Sequence, residues 1–177
     1  MGALAPVGRP QRSRDARVPR GLGSASSGGA PPDHRHAQVS TAVALPTAAY
    51  LMASDDVGRW LLVRHRGRWQ LPGGLVQRGE SPLAAAERET SEETGLSLRA
   101  VELVIVAWVA RRGHPGRLVF VFSAHLHTTA VRLQASELEA WRLSRPEEAL
   151  RLLHPLIAER LKAARSGRRF VAQVPVR

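Results

Sequence analysis

Four glutamates, Glu87, Glu89, Glu92 and Glu93, stand within seven residues of one segment of this 177-residue chain. The last three follow a spacing of three and four residues, which places side chains on one face of an α-helix. Carboxylates on one face repel one another unless a cation lies among them. Mg²⁺ prefers oxygen ligands and binds to a few carboxylates together with substrate phosphates and water. The spacing therefore indicates a cation site, although an exposed acidic face paired with arginines would show the same pattern.

The residues that flank the glutamates predict a short helix with defined ends. Ser81 followed by Pro82 is typical of an N-cap and a first helical position. Gly95 suits the left-handed conformation that often follows a last helical turn. The helix is therefore expected to begin at Pro82 and to end just before Gly95.

The segment ahead of this helix predicts a loop that lies close against it. Gly73 and Gly74, after Pro72, allow the backbone to turn sharply and to approach the acidic face. Glu80 and Arg88 carry opposite charges and are expected to pair, which would hold the loop on the helix in a structural role.

Short runs rich in β-forming residues surround this helix, and two further helical segments end the chain. The order of strands, one helix, more strands and terminal helices favours an α/β or α+β sandwich with a mixed sheet between helices. The predicted strands are Thr47 to Ala53, Trp60 to Arg64, Leu98 to Ala110 and Arg117 to His127, with short ones at Leu75-Val76 and Leu138 to Leu143. The predicted terminal helices begin near Pro146 and Pro155.

The net charge of +11 is concentrated at the two ends of the chain. Residues 1–39 are rich in Gly, Pro, Ser and Arg and predict a disordered basic segment. Residues 40–165 are expected to form the folded domain, and residues 166–177 a basic, solvated C-terminal tail. Such tails could also attract polyanions such as nucleic acid. With no cysteine, thiolate metal sites and disulfides are excluded, and no apolar run is long enough to span a membrane.

The acidic segment resembles the signature of the Nudix hydrolases. That signature is Gly, five residues, Glu, seven residues, then Arg-Glu-hydrophobic-any-Glu-Glu-any-Gly-hydrophobic. The spacing is intact in this chain, and Thr90 replaces the usual aliphatic residue. The matching residues are Gly74, Glu80, Arg88, Glu89, Glu92, Glu93, Gly95 and Leu96.

The resemblance implies a fold, a reaction and a set of functional residues. It implies an α/β/α sandwich with a mixed central sheet, and Mg²⁺-dependent cleavage of a nucleoside diphosphate linked to another moiety, with Mn²⁺ as an alternative ion. Glu92, Glu93 and the Gly73 carbonyl are the expected metal ligands, and Glu89 is either a ligand or the general base. A further acid from a later segment, Glu139 or else Glu137, is expected to complete the site.

The substrate is less constrained than the reaction. Arg64 and Arg66 could contact substrate phosphates, or they could be ordinary solvated charges on a hairpin. No residues typical of the ADP-ribose, dinucleoside polyphosphate, coenzyme A or NADH subfamilies are present. The resemblance is therefore to the MutT-like group, which implies small nucleotides such as (deoxy)nucleoside triphosphates and a cytoplasmic location. A ligand-sensing domain without turnover and an RNA 5′-pyrophosphohydrolase are the alternatives.

Overall fold

The computed structural model describes residues 45–134 and 136–174, which form eight strands and three helices. The expected disordered segment 1–39 lies outside the described residues. No helix in the described part of the chain is long and apolar enough to cross a bilayer. The strands are β1 (Thr47–Ser54), β2 (Trp60–His65), β3 (Arg68–Gln70), β4 (Gly73–Leu75), β5 (Ala100–Arg111), β6 (His114–His125), β7 (Ala140–Ser144) and β8 (Phe170–Gln173). The helices are α1 (Pro82–Thr94), α2 (Pro146–Leu152) and α3 (Pro155–Arg165).

All eight strands belong to one mixed sheet, in the order β3-β2-β1-β6-β5-β8, with β4 paired to β1 and β7 paired to β2. The β1–β6 and β5–β8 pairs are parallel, and the remaining pairs are antiparallel. Strand β1 lies at the centre, where it pairs with β4 through Tyr50 opposite Gly73. This pairing brings the Pro-Gly-Gly segment to the middle of the sheet.

The alternation of side chains along β1 divides the core into two layers. Ala49 and Leu51 pack with Ala85 and Ala86 of α1 on one face. Tyr50 and its neighbour Met52 face the other way and pack against the apolar stripe of α2 and α3. Helices therefore cover both faces of the sheet, which confirms the predicted α/β/α sandwich with a mixed central sheet.

The ends of α1 are those that the sequence predicts. The Ser81 hydroxyl accepts a hydrogen bond from the Ala84 N–H at 3.1 Å, and Pro82 occupies the first turn. Gly95 has φ 68° and donates its N–H to the Ser91 carbonyl at 2.8 Å. These caps fix where the acidic helix begins and ends.

Three elements differ from the sequence prediction. Strand β3 is too short to show a hydrophobic period, and it follows β2 through a tight turn in which Arg66 has φ 49°. The predicted strands leave residues 111–116 between them as a hairpin loop, but β5 and β6 extend further and are separated only by the turn at Arg112-Gly113. The prediction of a solvated C-terminal tail is wrong for Phe170–Gln173, because these residues form β8 and pair with Val106–Val109.

The one residue that departs from the Nudix pattern is buried with an unpaired polar group. Thr90 is fully buried, and its hydroxyl has no hydrogen-bond partner among the described residues. The neighbouring Thr94 is equally buried, but its hydroxyl donates to the Thr90 carbonyl at 2.6 Å. A buried hydroxyl without a partner costs roughly 1–3 kcal/mol, whereas a paired one contributes about 1 kcal/mol.

We therefore expect Thr90→Val to stabilise the protein and Thr94→Val, the matched control on the same helix, to destabilise it. The predicted change for Thr90→Val is about 1 kcal/mol, or a rise in Tm of roughly 2–4 °C. Thermal unfolding followed by circular dichroism measures both. A fall in Tm for Thr90→Val as large as that for Thr94→Val would contradict this assignment.

Candidate active site

Arg88 is the centre of the polar contacts on the acidic helix. Its guanidinium donates to both carboxylate oxygens of Glu80, at 3.2 and 2.8 Å, and to the Leu75 carbonyl at 3.3 Å. Its Nη1 also lies 3.0 Å from a Glu89 oxygen and 2.9 Å from a Glu92 oxygen. Glu80 in turn accepts the Gln77 N–H at 2.6 Å. The predicted Glu80–Arg88 pair is present, and it fastens the loop after β4 to α1.

Glu93 lies outside this network and is buried. Its Oε2 accepts a hydrogen bond from the Gly73 N–H at 2.8 Å, and only 6% of the residue is exposed. Burial raises the pKa of Glu93 from 4.5 to about 7, and the negative charges of Glu89, Glu137 and Glu92 act in the same direction. The Gly73 N–H opposes this rise but does not cancel it. Among residues 45–134 and 136–174, no positively charged side chain forms an ion pair with Glu93.

Two glycines allow the loop to approach the acidic helix this closely. Gly73 has φ 139°, a conformation that side chains rarely adopt, and a Cβ there would collide with the Ala49 carbonyl oxygen. A Cβ on Gly74 would lie 2.5 Å from the Glu89 carboxyl carbon. The close approach that the Pro-Gly-Gly segment predicts is therefore present, and it brings the Gly73 backbone to Glu93.

The residues around Glu93 suit a hard divalent cation. All of the candidate ligands are oxygen donors, and the pKa of Glu93 is raised by burial first and by the neighbouring carboxylates second, both of which a bound cation would offset. Within residues 45–134 and 136–174, however, no three acidic or histidine side chains already enclose a cation site. Arg88 explains this arrangement, because it holds both Glu89 and Glu92. The expectation that the three glutamates point to a single spot is met only in part.

The later acidic residues occupy different positions. Glu139 accepts the Gly67 N–H at 2.8 Å and lies 3.3 Å from Arg64 Nε, so it holds the β2–β3 turn. Glu137 lies on the loop between β6 and β7, and its charge acts on Glu93. That loop is tied to the helix end by the Gln134 N–H, which donates to the Glu93 carbonyl at 3.1 Å. The geometry therefore favours Glu137 over Glu139 as the additional acid.

The predicted phosphate-binding arginines lie in the same turn. Arg64 pairs with Glu139, and both side chains are about half exposed. Arg66 is exposed and borders a shallow depression together with His65 and Glu137. These contacts place the two arginines on the side of the site where Glu137 lies, and Arg64 is held there by a carboxylate.

A cavity of about 450 Å³ on the α3 face of the sheet is lined by a second group of polar residues, which no pattern in the sequence predicts. Its polar lining consists of Tyr50, Arg68, Arg117, His154 and Arg160. These residues come from β1, β3, β6, the N-cap of α3 and α3 itself, and no local motif connects them. Neither β6 nor α3 is otherwise apolar, so the sequence of these elements gives no signal for the cavity.

Comparison with known proteins identifies the family. A profile of the NUDIX domain matches residues 44–166. The phosphatase NudJ of Escherichia coli strain K12 is 30% identical over 122 residues, which cover 64% of this chain and 79% of that protein. The CMP-5′-(N-acetyl-N-hydroxy-3-aminopropyl)phosphonate hydrolase of Streptomyces rubellomurinus is 43% identical over 65 residues, but the match covers only 33% of this chain and 32% of that protein.

Solved structures share the fold. The MutT protein from Methanosarcina mazei Go1 superposes with a TM-score of 0.62 at 21% identity, covering 71% of this chain and 98% of that one. An Ap4A hydrolase from C. elegans superposes with a TM-score of 0.57 at 23% identity, covering 70% and 96%. Because the profile spans most of the chain and the fold agrees, this protein belongs to the Nudix hydrolase family, whose members hydrolyse pyrophosphate bonds.

Proposed function

We propose that this chain hydrolyses a nucleoside diphosphate linked to another moiety, with (deoxy)nucleoside triphosphates and related small nucleotides as the substrate class and Mg²⁺ as the cofactor. Family membership supports the pyrophosphohydrolase reaction. The observation that carries the proposal is the buried Glu93 carboxylate, which accepts the Gly73 N–H and lies within the electrostatic influence of Glu89, Glu137 and Glu92. A buried carboxylate near other carboxylates destabilises a helix that binds nothing. The same carboxylate is favourable where a cation and a phosphate chain bind.

The acidic residues of the signature have chemical roles in this proposal. Glu92, Glu93 and the Gly73 carbonyl oxygen would hold the divalent ion, either Mg²⁺ or Mn²⁺, and Glu137 would add to this set. Glu89 serves as a further ligand or takes the proton from the attacking water. When bound there, the ion would supply positive charge to the phosphate oxygens and would help to orient the water for in-line attack. Arg88 keeps Glu89 and Glu92 in place by its contacts with both.

The substrate class rests on the relatives. One relative is named a phosphatase, another cleaves a CMP-linked phosphonate, and a structural neighbour is an Ap4A hydrolase. All three names describe enzymes that hydrolyse a bond to phosphorus in a small molecule. A phosphate-release screen over a panel of nucleoside triphosphates, nucleotide sugars and dinucleotides, with and without Mg²⁺, tests the proposal. Binding without turnover of any member would favour the sensing alternative.

We expect Glu93→Gln to lower kcat by roughly two orders of magnitude or more, because it removes charge from the proposed cation site while it retains an acceptor for the Gly73 N–H. Glu87→Gln is the matched control on the same helix, since Glu87 accepts the Ala100 N–H at 2.9 Å and contacts Arg99 away from the site. Steady-state kinetics with Mg²⁺ measure both. Near-wild-type turnover in Glu93→Gln would overturn the site assignment.

The raised pKa of Glu93 also predicts how stability depends on pH in the absence of metal. The folded protein holds the Glu93 proton up to about pH 7, whereas the unfolded chain releases it near 4.5. The free energy of unfolding therefore falls as the pH rises through this window. Glu93→Gln cannot ionise, so in EDTA at pH 8 we expect it to be more stable than the wild type by on the order of 2 kcal/mol. At pH 5 this difference should be largely lost.

Differential scanning calorimetry in EDTA at the two pH values measures this effect. Glu87→Gln is again the control, and its stability relative to the wild type should change little between pH 5 and pH 8. If Glu93→Gln is no more stable than the wild type at pH 8, the ionised Glu93 side chain does not destabilise the folded protein, and its pKa is not raised.

Salt dependence separates small nucleotides from RNA as substrates. Turnover of a nucleoside triphosphate should decline only modestly between roughly 50 and 200 mM salt, because few phosphates are engaged. An RNA substrate held by many arginines would lose several orders of magnitude in affinity over the same range. The measurement is kcat/KM for a nucleoside triphosphate and for a 5′-triphosphorylated RNA at several salt concentrations. A preference for the RNA that collapses with salt would favour the RNA alternative.

A further inference from the structure

The cavity beside α3 has the size of a small-ligand site and an unusual balance of charge. Its volume of about 450 Å³ lies within the range of known pockets. Arg68, Arg117 and Arg160 line it together with Tyr50 and His154, and the rest of its wall is apolar. No aspartate or glutamate is among its described lining residues. Three guanidinium groups therefore face one cavity without a carboxylate to balance them.

Arg160 is buried, and its partner is neutral. Only 5% of the residue is exposed, and its Nε and Nη2 donate to the Gln173 side-chain oxygen at 3.2 and 2.9 Å. Gln173 is fixed in turn, because its amide donates to the Leu156 carbonyl at 2.7 Å. Among the described residues, Arg160 forms no ion pair. A buried guanidinium is costly unless an opposite charge accompanies it, and an anion entering the cavity would supply that charge.

Arg117 provides an independent observation. Its Nε is buried and has no hydrogen-bond partner among the described residues. Arg117 projects from β6, so its charge reaches the cavity from the sheet while that of Arg160 comes from the opposite wall, α3. A guanidinium presents its donors in a fork that matches the oxygens of a phosphate or a carboxylate. Two such groups on facing walls can bind one anionic group between them.

Tyr50 connects the cavity to the acidic site. It lines the cavity, and across the β1–β4 pair it is opposite Gly73, whose N–H holds Glu93. Burial raises the pKa of the Tyr50 hydroxyl; the charges of Arg117 and Arg160 oppose that rise, and those of Glu93 and Glu89 add to it. The cavity and the acidic site are therefore separated by little more than one side chain and one backbone segment.

A nucleobase would fit this lining less well than an anion does. Bases are bound by stacking on aromatic faces and by donors and acceptors that match their edges. Tyr50 and His154 are the only ring side chains in the described lining, and that lining has no Asn, Gln, Asp or Glu to match the edge of a base. The buried positive charges favour an anionic occupant instead.

We propose that the cavity between β6 and α3 binds an anionic group, a phosphate or a carboxylate, on the part of the substrate that lies beyond the diphosphate to be cleaved. This inference rests on the proposed function for its link to catalysis. It narrows the substrate class to diphosphates whose far end carries a second negative charge. Arg117 and Arg160 are the residues that bind this second negative charge and so select for substrates that carry it.

The first test measures binding without turnover. In EDTA, which keeps divalent ions from the acidic site, titration of the full chain with inorganic phosphate or with succinate is followed by thermal shift and calorimetry. We expect one of these anions to raise the Tm and to bind with a stoichiometry near one. The response in Arg117→Met should be at least ten-fold weaker, and Arg151→Met, an exposed arginine of α2 outside the cavity, should respond like the wild type.

The comparison of phosphate with succinate distinguishes the two anion classes, and Arg160→Lys, which keeps the charge, should retain binding. Glu93→Gln should also retain it, so this result does not depend on whether the chain is a hydrolase. Failure of the wild type to bind either anion, or equal binding by Arg117→Met, would overturn the proposal. Circular dichroism of each variant verifies that it is folded, and Arg117→Met decides the outcome if an Arg160 variant does not fold.

The second test uses substrates in matched pairs that differ only in one terminal charge, such as a nucleotide sugar and its sugar-phosphorylated analogue. We expect the wild type to prefer the charged member, and the ratio of kcat/KM values for charged over uncharged substrate to fall about ten-fold in Arg117→Met but not in Arg151→Met. An unchanged ratio in Arg117→Met would contradict the proposal. If neither member of any pair is hydrolysed, the proposed function fails and the anion titration alone decides the role of the cavity.

Discussion

Like charges crowded onto two turns of one helix are the constraint around which this structure is arranged. Arg88 offsets part of the repulsion, because one guanidinium contacts Glu80, Glu89 and Glu92 at once. Glu93 receives no such partner and is buried beside the Gly73 N–H. The fold therefore holds one carboxylate in an environment that favours its neutral form. We propose that a cation offsets this cost in the active protein.

The central sheet determines how this acidic helix meets the rest of the molecule. Strand β1 buries alternate side chains against α1 on one face and against α3 on the other, so its residues reach both the acidic site and the cavity. At Gly73 the absence of a side chain lets the paired strand carry its N–H directly to Glu93. A single pair of backbone positions, Tyr50 and Gly73, thus joins a negatively charged site to a positively charged cavity. In our account, the two sites bind opposite ends of one anionic substrate.

The local features of the site could be predicted from the sequence because they depend on neighbours in the chain. The N-cap at Ser81, the left-handed Gly95 and the Glu80–Arg88 pair all follow from spacing within one loop and one helix. Contacts between distant segments were not accessible in this way. Glu137 and Glu139 are two residues apart, and only the path of the loop between β6 and β7 decides which of them lies close enough for its charge to act on Glu93.

The C-terminal region shows the same limit more clearly. Basic residues around Phe170–Gln173 indicate a solvated tail, yet this segment adds a parallel strand to the edge of the sheet. Its Gln173 then supports the buried Arg160 from 13 residues away. Neither feature shows a periodic pattern or a motif in the sequence. Strand β8 depends on pairing with β5, and the cavity depends on how α3 packs over β6.

We propose that Glu93, a buried carboxylate with no positively charged partner among the described residues, is stabilised in its charged form by a divalent ion. The most direct measurement is the pKa of the Glu93 side chain, followed by carbon-13 NMR of glutamate-labelled protein with Glu93→Gln used for assignment. The account predicts a pKa of about 7 in EDTA and a fall to below its ordinary value when Mg²⁺ is added. An ordinary pKa in EDTA that Mg²⁺ leaves unchanged would contradict it.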